Sequence, residues 1–178
     1  MDTFEVISAS LFSVRYNHEE YDELYRIFEL WNDPTYLYDF FEEHFEDLNS
    51  GFFGKVTVKD AVRKTRKEAK NLEKKLLDIA KNEDADFVNL SSFFKPLTAH
   101  ETGKPFEKDK AYGLYQPTWL RLYAIRVNVN VNVFVVCGGA IKLTPTMNNR
   151  AHLLTELEKM KVAKDFVKSS DQFYELSL

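Results

Sequence analysis

The spacing of apolar residues constrains this chain more than any other feature. They recur at helical intervals from Glu19 to Asn82, alternate from Phe87 to Thr144, and return to helical intervals from Asn149 to Lys168. A run of strands with only short connections between them pairs as an antiparallel meander. Helices outside that run lay their apolar stripes on one face of the sheet, which makes the chain α+β. Its 178 residues suffice for a single domain with its own core.

Phe4 to Tyr16 alternates loosely and predicts a first strand. Glu19 to Trp31 carries Tyr21, Leu24, Tyr25, Phe28 and Trp31 on one helical stripe. Asp33-Pro34 supplies an N-cap and a first-turn proline for a second helix through Leu48, with Leu37, Phe40, Phe41, Phe45 and Leu48 inward. Gly51 to Gly54 breaks the chain. Thr57 with Asp60 then caps the longest helix, which runs to about Asn82. Val58, Ala61, Val62, Ala69, Leu72, Leu76, Ile79 and Ala80 form its apolar face. Lys59, Arg63, Lys67, Lys70 and Lys74 form a basic face, either solvated or turned toward RNA or a protein partner.

Beyond it, Phe87 to Leu97 predicts a strand, Thr98 to Lys110 a polar excursion and Tyr112 to Tyr115 a short strand. Trp119 to Val127 and Val131 to Cys137 are strong strands. The Val–Asn alternation from Asn128 to Asn132 holds the hairpin turn between them. Gly138-Gly139 marks a bulge before Ile141 to Thr144. The last helix, Asn149 to Lys168, turns Leu153, Leu154, Leu157, Met160 and Ala163 inward, and the final ten residues carry no pattern.

Charge divides the chain. Residues 1–50 hold thirteen Asp and Glu against Arg15 and Arg26, a net of −11, while residues 51–178 net +7, giving −4 overall. Basic surface attracts phosphate, and acidic surface repels or imitates it. One consequence would be an internal cover, with the acidic helices of residues 19–48 lying over a basic patch. An acidic helix and a basic helix that are merely solvated fit the same division.

Several chemistries find no support. His18, His44, His100 and His152 are scattered, without the spacing of a metal site, and His44 reads as a surface residue on its acidic helix. No glycine-rich phosphate loop is present, and no cofactor is indicated. Cys137, between apolar neighbours, reads as an inert buried thiol. The longest apolar run, Val133 to Cys137, falls far short of the roughly 18 residues that span a membrane. With an acidic N-terminus and one cysteine, the expected location is cytoplasmic.

The cations remain. Alternation through Trp119–Val127 places Leu120, Leu122, Ala124 and Arg126 on one face and Trp119, Arg121, Tyr123 and Ile125 on the other. If the aliphatic set faces the helices, Arg121 and Tyr123 lie on an open face, as an ion-pair anchor or an anion binder. Lys142 on the following segment converges on Arg121 if it shares that face. Two fixed cations beside an aromatic ring suit a phosphodiester with a stacked base.

The string WLRLYAIRV (119–127), a short hairpin, VFVVCGGAIKLT (133–144) and a helix with HLLTELEKM (152–160) together resemble the C-terminal half of RelE/ParE-superfamily toxins. The preceding order of strand and helical pair is similar too, with residues 17–50 as an acidic elaboration of one RelE-like domain. The resemblance implies a bacterial toxin–antitoxin component. Such a protein cleaves messenger RNA on the ribosome without metal, through 2′-hydroxyl attack, and is neutralised by a cognate antitoxin. It implies Arg121 as the phosphate-stabilising arginine, Lys142 as a second cation and Lys95 as the lysine before the central strand. Tyr123 is placed for base stacking, with Arg63, Lys67 and Lys70 as further RNA contacts. Arg126 ranks behind Arg121, because alternation puts it on the opposite, structural face. Two alternatives stay open: a non-catalytic protein-binding module on the same fold, including a ParE-like target inhibitor or degenerate toxin, and an accessory protein whose cations are paired within the fold.

Overall fold

The computed structural model describes residues 1–7, 9–81, 89–97, 105–128, 130 and 132–173. The predictions for 87–88, 98–104, the hairpin residues 129 and 131, and the tail 174–178 lie outside the described residues. The elements in order are β1 (Asp2–Ile7), β2 (Leu11–Arg15), α1 (Glu23–Asn32), α2 (Pro34–Glu43), α3 (Phe45–Leu48) and α4 (Val58–Lys81), then α5 (Leu90–Phe93), β3 (Lys95–Pro96), β4 (Glu107–Tyr112), β5 (Leu120–Arg126), β6 (Phe134–Ile141) and α6 (Ala151–Ser169).

The six strands form one sheet in the order β1-β2-β6-β5-β4-β3. From β3 to β6 it is the expected antiparallel meander. The first predicted strand is a hairpin instead: the chain reverses at Ala9, whose φ is +58°, and β2 returns against β1. β2 then pairs with β6 in parallel, Leu11–Ser13 beside Phe134–Val136, so the sheet is mixed.

The helices start where their caps direct. Asp22 accepts from the Leu24 and Tyr25 amides to open α1, and Asp33 accepts from Thr35 and Tyr36 to open α2. Thr57 Oγ1 accepts from the Asp60 amide ahead of α4. The predicted second helix is interrupted at His44, giving α2 and α3. A capping box between Asn89 and Ser92 turns part of the predicted strand at Phe87–Leu97 into α5, leaving only β3 extended. β6 runs through Gly138-Gly139; the register shift opposite Tyr123 and Ala124 is the bulge those glycines mark.

Helices cover both faces of the sheet rather than one. On the first, Leu120, Leu122, Ala124, Phe134 and Val136 pack with Ile27, Trp31, Leu37, Phe41, Leu72 and Leu76 from α1, α2 and α4. The acidic segment is therefore built into this core through Leu24, Ile27, Phe28, Trp31, Leu37, Phe41 and Leu48, whereas Tyr21, Tyr25 and Phe45, expected inward, are exposed and Glu23 is buried. α1 lies directly on the β6 backbone: a Cβ on Gly139 would stand 3.0 Å from side-chain carbons of Ile27 and Trp31. The second face is apolar as well, because Tyr123, Ile125, Val135 and Cys137 project there, and α6 seals it with Leu153, Met160, Ala163 and Val167. Beyond α6, Phe173 is buried edge-to-face against Phe12 at 5.1 Å, which ties down the start of the unpatterned tail. Among the described residues no helix is long and apolar enough to cross a membrane.

Candidate functional site: a cationic patch at the end of the sheet

α6 packs on β5 and β6, while β3 and β4 at the other side of the same face carry charged residues. Register brings these cations together. Tyr112 on β4 pairs with Arg121 on β5, which pairs with Ala140 on β6, and Lys95 on β3 pairs with Lys110 on β4. Residues opposite one another share a face, so Tyr112, Lys110, Lys95 and Arg121 form one surface. Lys142 joins them, two residues after Ala140, held by a bond from its amide to the Trp119 carbonyl.

Arg121 sits at the centre. Its guanidinium donates from Nη1 to the carbonyls of Thr118 at 3.0 Å and Leu120 at 2.8 Å, and stands 4.3 Å from the Tyr112 ring centre. No carboxylate among the described residues forms an ion pair with it. Burial disfavours its charge and lowers its pKa; the nearest opposing influences are Tyr112, Tyr123 and Glu68. Lys142 donates to the Pro145 carbonyl at 2.6 Å, and its pKa is lowered by burial and by the charges of Arg121 and Lys110. Lys110 donates to the Leu97 carbonyl at 3.3 Å, with its ammonium 5.7 Å from the Tyr112 ring. Three mutually repelling cations without an ion-pair partner among the described residues are an electrostatic arrangement that an anion relieves.

The patch continues toward α4. Lys95, exposed, lines a cleft of about 280 Å³ with Tyr112, Leu114 and Lys75. Arg63 and Lys67 line a second, of about 270 Å³, with Lys64, Glu68 and Tyr115. Lys70 is exposed on the same helix. The loop of residues 113–119 joins the two regions through Thr118. The Thr118 carbonyl accepts from Arg121, and its hydroxyl donates to Glu68 Oε2 at 2.6 Å. Gly113 is glycine for space, since a Cβ there would collide with Thr118 Oγ1 and lie 2.8 Å from Glu68 Oε2.

Several sequence expectations need correction. Tyr123 does not lie on an open face: it is 1% exposed beneath α6, and burial raises its pKa, so no base stacks on it in this structure. Tyr112 takes the aromatic position beside Arg121. Arg126, the lower-ranked candidate for RNA contact, keeps the structural face that alternation assigns it: it is paired at 2.8 Å with Asp109, which is fully buried. His44 is half-buried rather than superficial, its ring 4.5 Å from that of His152. The acidic helices do not cover Arg121 or Lys142 with any ion pair among the described residues. Their carboxylates are used elsewhere, buried Glu23 with Arg26 and Lys159, and half-buried Asp47 with Arg150. Cys137 is buried, and burial raises its thiol pKa.

Tyr112, Lys110, Thr118 and Glu68 escaped the sequence reading. β4 reads Glu-Lys-Asp-Lys-Ala-Tyr, so polar that it resembles a loop, yet its alternation was there to be used. Glu107, Asp109 and Ala111 are buried on one face, while Lys108, Lys110 and Tyr112 are half-buried on the other.

Comparison with known protein families, with curated proteins and with solved structures gives no match.

Proposed function

We propose that this protein is a toxin-like, RelE-like RNA-binding protein whose Arg121 patch engages the phosphodiester backbone of messenger RNA. The carrying observation is that Arg121 and Lys110 stand at the Tyr112 ring with Lys142 close to both, and with no ion-pairing carboxylate among the described residues. Arg121 is fixed by two carbonyls and a ring, so it offers a phosphate a preorganised charge. In the reaction proposed, the 2′-hydroxyl oxygen bonds to phosphorus as the P–O5′ bond breaks, leaving a 2′,3′-cyclic phosphate and a 5′-oxygen that takes a proton from water, and Arg121 meets the developing negative charge. The 2′-hydroxyl proton passes to a lysine; Lys142, its pKa lowered by burial and neighbouring cations, is better suited to accept it than an ordinary lysine. Lys95 stands at the rim of the same surface as a further phosphate contact. No step calls on a cofactor. A cognate antitoxin would shield this patch with acidic and apolar groups, and ribosome-bound messenger RNA is the proposed substrate in the cytoplasm.

The test is induced expression of the wild type beside Arg121→Ala and Lys142→Ala, followed by growth and primer extension on cellular messenger RNA. The expected result is growth arrest with codon-phased cuts in the wild type alone. Normal growth with intact RNA would contradict the nuclease reading. The second reading, a non-catalytic protein-binding module, draws on the half-buried state of Arg121 and on its bonds to two carbonyls, which equally suit a rigid docking surface. It predicts a stable complex with a protein target and no RNA cleavage.

A further inference from the structure

We propose that the cleft between α4 and the loop of residues 113–119 is a nucleotide subsite, in which Tyr115 stacks one base of a bound RNA and the Glu68 carboxylate accepts from an amino group on that base. This rests on the RNA reading above and adds a specificity determinant to it. The cleft holds about 270 Å³, room for one nucleobase, and is lined by Asp60, Arg63, Lys64, Lys67, Glu68 and Tyr115.

Glu68 is the unusual member. It is 2% exposed, and only one of its oxygens is satisfied: Oε2 accepts from Thr118, while Oε1 has no hydrogen-bond partner among the described residues. The Lys64 ammonium stands 3.8 Å from Oε1, and it is already committed to the Pro117 carbonyl at 2.7 Å and to the face of Trp119 at 4.3 Å. A buried acceptor that has one long ion pair and no hydrogen bond favours a ligand that brings a donor.

The rest of the cleft says which ligand. Tyr115 is 52% exposed, its hydroxyl accepting from Asn71 Nδ2 at 3.2 Å and its ring 5.8 Å from the Lys67 ammonium. An exposed ring fixed in this way is a stacking platform, and Lys67 and Arg63 at the rim are placed for the flanking phosphates. Adenine, cytosine and guanine each carry an exocyclic amino group, whereas uracil has none, and its one edge donor, N3–H, lies between two carbonyl oxygens that the Glu68 carboxylate repels. Thr118 bonds both Glu68 and Arg121, so the subsite adjoins the Arg121 patch, and we assign the base seated here and the phosphate at Arg121 to one strand.

The experiment measures binding of labelled oligoadenylate, oligocytidylate and oligouridylate hexamers to the full-length protein at low salt and neutral pH. The comparison covers wild type, Glu68→Gln, Tyr115→Ala and Arg121→Ala, each checked for folding by thermal melting. The wild type should prefer the amino-bearing hexamers over oligouridylate by about tenfold, and Glu68→Gln should narrow that to about twofold. Tyr115→Ala should weaken every hexamer by about tenfold. A wild type without preference, or an undiminished preference in folded Glu68→Gln, overturns the subsite. If Glu68→Gln fails to fold, Tyr115→Ala decides: weakened binding supports the subsite and unchanged binding overturns it. Hexamers that bind through Arg121 but ignore both Glu68 and Tyr115 refute the subsite alone. Absence of binding, or binding indifferent to Arg121→Ala, refutes the RNA reading and the subsite with it.

Discussion

Arg121 and Arg126 stand five residues apart on the same strand and face opposite sides of the sheet. Arg126 is matched within the fold, its guanidinium paired with buried Asp109 at 2.8 Å and lying 5.2 Å from the Phe134 ring centre. Arg121 is held as firmly, but by carbonyl oxygens and the Tyr112 ring, with Lys142 and Lys110 beside it instead of an ion-pairing acid. One arginine completes a charge balance and the other leaves it open. The difference separates a structural cation from one available to a ligand, and it cannot be read from residue type or burial alone, since both side chains are half-buried.

The contrast can be broken most strongly on the Arg126 side. Arg126→Ala strands a buried carboxylate, and should cost about 3–5 kcal/mol of unfolding free energy by chemical denaturation at neutral pH. Burial already pushes the Asp109 carboxyl up to about 6, against the opposing pull of Arg126. A carboxyl whose folded pKa is raised contributes stability that is fully present below its unfolded value of 3.8 and is lost as pH rises through about 6. Comparing denaturation curves of wild type and Asp109→Asn across that window should reveal this component as a difference on the order of 3 kcal/mol. A pH-independent difference would assign the Asp109 carboxyl a different balance of burial and charge.

The Arg121 side should behave oppositely. Arg121→Ala removes a cation that forms no ion pair among the described residues and acts on the buried Glu68 only at a distance, so its effect on stability should stay near 1 kcal/mol, mostly lost hydrogen bonds and ring contact. A loss comparable to that of Arg126→Ala would erase the distinction between the two. The smallest effect is expected at Arg63, whose pair with Asp60 leaves both side chains more than half exposed, at 69% and 57%. Arg63→Ala should change stability by less than about 0.5 kcal/mol while lowering RNA affinity detectably.

The same contrast explains what the sequence reveals. Alternation in Trp119–Val127 separates the two arginines onto their faces correctly, because period two depends only on the strand being a strand. The aliphatic set does pack on α1, α2 and α4. Alternation says nothing, however, about whether a second helix will cover the other face. Tyr123, on the face that alternation leaves open, is covered by α6. Nor does it reveal which cation finds an acid. Asp109 and Lys110 are adjacent in a strand too polar to stand out, and they turn to opposite faces, one neutralising Arg126 and the other crowding Arg121. Glu68 was hidden differently: on α4 it looks like one carboxylate among many, and only the approach of Thr118 and Gly113 buries it.

The most direct test of the patch is the salt dependence of RNA affinity. Equilibrium binding of a single-stranded RNA to the wild type and to the Arg121→Ala/Lys142→Ala double variant would be followed across a series of salt concentrations. Log affinity should fall linearly with log salt for the wild type, and the double variant should bind at least about tenfold more weakly with a slope shallower by about one to two. Equal affinity and equal slope in the two proteins would show that the phosphodiester does not meet Arg121 and Lys142, and would contradict the assignment of this patch.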